Sequence, residues 1–180
     1  WVPMCFAYDY YVTQEQLDTV PEEERAQILL RALLLDDGQI ARYGALLDPL
    51  PDEELADRSA GTYAADCAAR RAAALPQFTA TRTGFTAHSC YDAPQLVFFS
   101  VPYDDGFTAT VNGQPAAIER VDWGLMAVEV PAGDADITFT YHTPGLAPPA
   151  GVCLAAWAVY AAYLFVHFVK RKREPHAELR

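Results

Sequence analysis

Three pairs of acids could in principle do chemistry: Asp36-Asp37, Asp104-Asp105, and Asp134 with Asp136. Glycosyl transfer and hydrolysis use carboxyl groups that face each other across a cleft, not merely neighbours along the chain. Each pair lies beside a glycine, where an Asp side chain bonds the local backbone and shapes a turn. A turn role is therefore the expectation, and no residue is assigned as catalytic. The histidines His88, His142, His167 and His176 are scattered. Cys5, Cys67, Cys90 and Cys153 match no zinc spacing, so neither a metal site nor a cofactor is expected. A Cys67–Cys90 disulfide and single buried thiols both stay open. Nucleophile-elbow, phosphate-loop, dinucleotide and zinc-protease motifs are absent. Tyr103, Phe107 and Trp123 are a softer case. Aromatic rings near strand ends stack on sugars, or else fill a core or pack on a neighbouring domain. Tyr103, Asp104 and Trp123 are accordingly the candidate substrate-binding residues. Arg70-Arg71 near a helix end reads as a solvated terminus rather than a ligand site.

The elements that must position these residues change character along the chain. Trp1 to Val12 is aromatic and β-prone, an extended segment that packs on something. A helix is expected to open near Pro21, with Thr13 or Thr19 as cap, and to run through Arg25–Leu35. Ile28, Leu29 and Leu33, with Leu30, line its apolar face, and Asp36-Asp37-Gly38 stops it. Asp52–Ala74 is a second helical stretch, capped by Asp52 and split near Gly61. From Pro76 the period becomes two. One strand starts near Phe78 and resumes at Phe85; others cover Gln95–Val101, Phe107–Val111, Leu125–Val130 and Ile137–Tyr141. Asn112-Gly113 is a strong hairpin signal, and Ala116–Val121 is the expected partner strand. The expected fold is α+β: a helical segment at 1–75, then an antiparallel sandwich or jelly-roll-like domain at 76–149.

Ala150–Val169 contains no Asp, Glu, Lys or Arg. A helix of about twenty residues at ~1.5 Å each crosses a ~30 Å hydrocarbon core. Lys170-Arg171-Lys172-Arg173 follow at once. Basic residues flanking a span stay on the cytoplasmic side. Residues 170–180 are thus expected to be a cytoplasmic tail, with 1–149 outside the cell. Charge follows the same division. Residues 1–149 carry 22 acidic side chains against 8 arginines, a net of −14, and residues 170–180 a net of +3. A −14 segment repels nucleic acid, which is excluded as a partner, whereas the basic tail suits an anionic lipid leaflet. With Trp1 first and no export signal, the expectation is a fragment from the C-terminal end of a longer membrane protein.

Residues 96–145 carry an ordered set of features. An apolar strand leads to Pro102-Tyr103-Asp104, then Gly106-Phe107, Asn112-Gly113, Gly124, Pro131-Ala132-Gly133, and Tyr141 followed by Pro144-Gly145. In this order, ending in a terminal span, the chain resembles the outer C-terminal domain of the bacterial YfhO family. Phe6-Ala7-Tyr8-Asp9 and the segment from Glu23 to Leu35 resemble that family as well. The family often has Lys and Trp where this chain has Asp105 and Phe107. The resemblance implies a multi-pass GT-C-like glycosyltransferase of the bacterial cell membrane. Such an enzyme moves sugar from a lipid-phosphate carrier to an envelope polymer such as lipoteichoic acid. Its catalytic acid would lie in an early outer loop beyond this segment. Expected partners are an upstream transmembrane bundle of the same protein, envelope glycan or lipid-linked sugar, and the bilayer. The alternative is a non-catalytic carbohydrate-binding or protein-interaction ectodomain with a membrane anchor. In both readings the matched glycines, prolines and Asn112 shape backbone, and Tyr141 anchors the last strand.

Overall fold

The computed structural model describes residues 3–145 and 147–173. The chain forms two compact units, 1–142 and 143–180.

Two antiparallel sheets build the body of the first unit. One joins β1 (Cys5–Ala7), β7 (Gln95–Pro102), β11 (Leu125–Val130) and β10 (Glu119–Val121), in the order β1-β7-β11-β10. The other joins β5 (Gln77–Thr81), β6 (Gly84–Tyr91), β12 (Gly133–Tyr141), β8 (Phe107–Val111) and β9 (Gln114–Ala116), in the order β5-β6-β12-β8-β9. Alternation along each strand sends one set of side chains into the space between the sheets. Val97, Phe99, Met126 and Val128 meet Phe85, Ala87, Ile137 and Phe139 there, and all are buried. The rings of Phe85 and Phe139 stack at 4.4 Å, and Phe99 meets Phe139 edge-on at 4.8 Å.

A third sheet sits on the other face of β7 and β11. It consists of β2 (Tyr10–Val12), β3 (Ala32–Leu34) and β4 (Asp48–Pro49), parallel, in the order β3-β2-β4. Parallel strands need crossovers. The first is α1 (Gln14–Asp18) with α2 (Glu22–Ile28); the second is α3 (Asp37–Tyr43). Leu33 faces the sandwich and packs with Phe6, Tyr8, Leu96 and Phe98. Val12, Ala32 and Leu34 face the opposite way, onto Leu17, Val20 and Ile28 of the α1–α2 layer.

The expected helix through Leu35 is therefore half wrong. It ends at Ile28, and Ala32–Leu34 is a strand, because all three of its residues are buried between two apolar layers. Nor does Asp36-Asp37-Gly38 stop a helix. Asp36 starts α3 with a capping box: its side chain accepts the Gln39 N–H, and Gln39 returns a bond to the Asp36 N–H. Thr13 caps α1 in the same way with Gln16, while Pro21 occupies the N-cap of α2. The second helical stretch divides into α4 (Asp52–Ala56) and α5 (Ala60–Ala72), the latter capped by Ser59 rather than broken at Gly61. Phe78 and Phe85 lie on two strands of a hairpin, not on one interrupted strand. Only β9 returns from Asn112-Gly113 to pair with β8. The chain then crosses to the other sheet as β10, so Ala116–Val121 is not one partner strand.

No unit boundary falls at residue 75. β1 pairs with β7, and Leu75 donates to the Cys5 carbonyl at 3.0 Å. The helix α5 buries only one residue, Arg70. Its guanidinium lies over the rings of Tyr8 and Phe6 at 5.0 and 5.4 Å and donates to the Ala7 carbonyl at 3.0 Å. Arg70 is thus a structural clamp, against the expectation of a solvated end. A second clamp, Arg31 to Asp66 at 2.7 Å, joins the start of β3 to the same helix.

The second unit contains α6 (Ala147–Arg173), 27 residues long. Gly151–Lys170 is long and apolar enough to cross a membrane. None of that window is buried by the described protein, and Leu154, Trp157, Tyr163 and Phe165 are all exposed. A helix apolar on every side needs a lipid or protein environment around it. The helix continues through Arg173, whereas the remainder of the expected tail, residues 174–180, lies outside the described residues.

Candidate functional site

The expected site residues collect mainly at one end of the sandwich, the end where β12 finishes. Pro102 closes β7 opposite Leu125. Tyr103 donates its N–H to the Gly124 carbonyl at 2.8 Å and packs its half-buried ring on the core. Asp104 is a turn residue, accepting the Gly106 N–H at 2.8 Å. Phe107 opens β8 opposite Tyr141, with ring centroids 4.9 Å apart. Gly106 is required by a close approach: a Cβ there would lie 2.5 Å from the His142 carbonyl oxygen and 2.6 Å from Tyr141. Tyr141 thus lies beside both Gly106 and Phe107 at this end.

Other members of the set lie elsewhere. Asn112 and Gly113, at φ 51° and 75°, turn the β8–β9 hairpin at the far end. The Asn112 side chain also accepts the Asp136 N–H at 2.9 Å. Gly133 begins β12 at that far end with φ 87°. Pro144 and Gly145 belong to the second unit. Asp134 and Asp136 flank His88 on the open face of the five-stranded sheet, with Nδ1 to Asp136 at 2.8 Å and Nε2 to Asp134 at 3.3 Å. The bond to Asp136 raises the imidazole pKa above its ordinary value. Among the described residues no group of three or more acids, histidines and cysteines is arranged to hold a metal. All four cysteines are free thiols, and only Cys5 is buried.

Trp123 has the most developed surroundings. The turn from β10 to β11 places both Asp122 and Trp123 in the left-handed region, at φ 45° and 61°. For residues with a Cβ, and a bulky one in Trp, that costs roughly 1–2 kcal/mol each. Four hydrogen bonds hold the turn. Gly124 donates to the Val121 carbonyl at 2.9 Å. Asp122 Oδ1 accepts the Leu34 N–H at 2.8 Å, at the end of β3. The Trp123 indole Nε1 donates to Gln14 Oε1 at 2.9 Å, just after β2. Arg120 reaches back to the Trp123 carbonyl at 3.2 Å. Trp123 as a residue is 53% exposed.

Between this turn and the carboxyl ends of β2 and β3 lies a cleft of about 320 Å³, bordered by Gln14, Asp36, Gln39, Arg120, Asp122 and Trp123. Outside the carboxyl ends of parallel strands is where α/β folds commonly bind ligands. On the other side of Asp122 an apolar hollow of about 230 Å³ is lined by Phe6, Tyr8, Leu29 and Phe98. Although Asp122 as a residue is half-buried, its carboxyl group is enclosed between these two hollows. Burial pushes its pKa up to about 7, against the opposing pull of the Leu34 N–H. A larger cleft, about 520 Å³, lies at the far end beside Asn112, Pro94 and Pro131. It includes neither Tyr103, Asp104 nor Trp123.

The reading from sequence missed Asp122, Gln14, Gln39 and Arg120. Asp122-Trp123-Gly124 did carry a local signal, an Asp and a Gly bracketing a turn. Gln14 and Gln39 carried none, since they come from segments about 110 and 80 residues away in sequence, united only by the parallel sheet.

A family model described as "Bacterial membrane protein YfhO" matches residues 56–152. Among curated proteins, "Uncharacterized protein YfhO" of Bacillus subtilis (strain 168) is 27% identical over 92 residues, which is 51% of this chain and 10% of that protein. The chain thus spans a small part of the length of this relative. No solved structure matches the chain. With more than half of its residues inside the family match, and with an apolar helix of spanning length after the sandwich, the chain belongs to the YfhO family of bacterial membrane proteins.

Proposed function

We propose that residues 3–142 are an extracytoplasmic accessory domain of a polytopic GT-C-like glycosyltransferase, and that Gly151–Lys170 is one of its spans. The whole protein moves a sugar from a lipid-phosphate carrier onto an envelope polymer such as lipoteichoic acid. Tyr103, Asp104 and Trp123 form the surface that meets acceptor glycan or lipid-linked sugar. The bond-making residues lie outside this segment, with the catalytic acid in an early outer loop of the same protein. The −14 charge of residues 1–149 and the basic run at 170–173 support the orientation, since basic flanks remain inside.

The observation that carries this reading is where the candidates sit. Tyr103, Asp104 and the Trp123 turn gather where β12 ends, and His142 there donates to the Gly106 carbonyl at 2.9 Å. From His142 the backbone reaches Ala147 in five residues, about 18 Å at full extension. The last strand of the unit that carries the candidate surface thus leads, within five residues, into the spanning helix. Membranes carrying the full-length protein test the reading. Given a polyprenyl-phosphate hexose labelled in the sugar, they are expected to pass label to the envelope polymer. Absence of transfer with every hexose donor tried overturns it.

A further inference from the structure

We propose that the cleft beneath Trp123 is a subsite for a single neutral hexose ring, stacked on the indole and held through its hydroxyls by Asp36, Asp122 and Arg120. This rests on the glycan reading above and assigns it to particular atoms.

Consider first which groups are free. Gln14 is engaged at both ends, accepting from the Trp123 indole and donating one N–H to Asp18 at 2.8 Å. Its task is to fix the plane of the ring. Gln39 is engaged too: its Nε2 donates to the Arg120 carbonyl at 2.9 Å and to Glu119 at 3.2 Å, and its Oε1 accepts the Asp36 N–H. Asp36 Oδ1 accepts the Gln39 N–H, and Asp122 Oδ1 the Leu34 N–H. The second oxygens of Asp36 and Asp122, and the remaining N–H groups of Arg120, have no hydrogen-bond partner among the described residues. The cleft thus offers two acceptor oxygens, one multiple donor and one immobilised aromatic face. That set matches a polyol. Hydroxyls both donate and accept, and the weakly positive C–H edges of a pyranose suit the negative face of an indole.

Other small ligands suit the cleft less well. The Asp36 carboxylate and the net charge of −14 on residues 1–149 disfavour phosphate. A quaternary ammonium is bound by several rings arranged as a cage, and here there is one. A cleft of about 320 Å³ is near the lower end of ligand sites, which start at roughly 300 Å³. It has room for one ring and not for a chain. The backbone adds an independent reason. Glycine would relieve the left-handed strain at position 123, yet the residue present is the largest side chain, aimed at the cleft mouth. Strain of this kind persists where the group it positions is used.

The full chain in detergent micelles, with ¹⁵N-labelled tryptophan, tests the proposal through its indole N–H resonances. Trp157, on α6, serves as internal control. Methyl α-glucoside, methyl β-galactoside and N-acetylglucosamine are the probes; tetramethylammonium and inorganic phosphate are the competitors. At least one hexoside is expected to shift the Trp123 indole saturably and leave Trp157 unmoved. Gln14→Ala, which frees the indole without opening a core, weakens that affinity about tenfold, the equivalent of one hydrogen bond. A Trp123 signal unmoved by every hexoside overturns the proposal, as does a shift produced only by tetramethylammonium or only by phosphate. Failures of the two readings are distinguishable. Saturable hexoside binding in a protein that transfers no sugar removes the transferase and keeps the cleft. Sugar transfer with an unmoved indole removes the cleft and keeps the transferase.

Discussion

Asp122 gives the fold a pH dependence of defined sign. Its carboxyl has an ordinary value of 3.8 when unfolded and about 7 when enclosed. The folded state therefore holds this proton more tightly, so the group's contribution is full below about pH 4 and falls as pH rises through about 7. Asp122→Asn keeps an oxygen for the Leu34 N–H but cannot ionise. Relative to this variant, the wild-type melting temperature is expected to fall between about pH 4 and about pH 7; parallel curves contradict the assignment. Trp123→Gly separates structure from binding. It relieves about 1–2 kcal/mol of left-handed cost and loses one exposed hydrogen bond worth about 1 kcal/mol. Stability by denaturant melt should then stay within about 1 kcal/mol of wild type, whereas a loss above about 3 kcal/mol would make the indole a structural wedge. At this scale the sequence revealed Tyr103, Asp104 and Trp123 by type and by their nearness to turn signals. It concealed Asp122, because whether an Asp is enclosed depends on which strands fold over it.

Strands were easier to read than the crossovers between them. β7, β8, β11 and the Asn112-Gly113 turn follow local rules, alternation and left-handed propensity, and all lie where expected. Ala32–Leu34 did not, because LLRALLL satisfies a helical and a buried-strand pattern equally. What selected the strand is β2, which pairs with it in parallel across a crossover. Likewise β10 left β9 for the opposite sheet, a choice made by packing on β11 rather than by local sequence. Two element-scale outcomes follow from the packing. The helix α5 is attached largely through arginine clamps. Asp66→Ala leaves Arg31, whose side chain is only 5% exposed, without its carboxylate. The expected loss is about 3–5 kcal/mol, read by denaturant melt with hydrogen exchange rising along Ala60–Ala72; an unchanged exchange pattern contradicts the clamp. Gly106→Ala drives a methyl into the His142 carbonyl and Tyr141, and is expected to cost about 1–3 kcal/mol. The β7–β8 loop and the end of β12 should loosen together.

At the scale of the whole molecule, the chain combines an acidic sandwich with an apolar helix of spanning length and a basic run directly after it. The first unit has its own cores, and its candidate surface lies where the chain departs toward the span. The proposed function requires the sandwich and the membrane chemistry to face the same side. Sidedness is therefore the central claim, and cysteine labelling of intact cells tests it most directly. In full-length protein with Cys67→Ser and Cys90→Ser as background, a cysteine at Gly113 is expected to react with a membrane-impermeant maleimide. One at Ala177 should react only after the cells are opened. Labelling of Ala177→Cys in intact cells, with Gly113→Cys protected, would contradict the account.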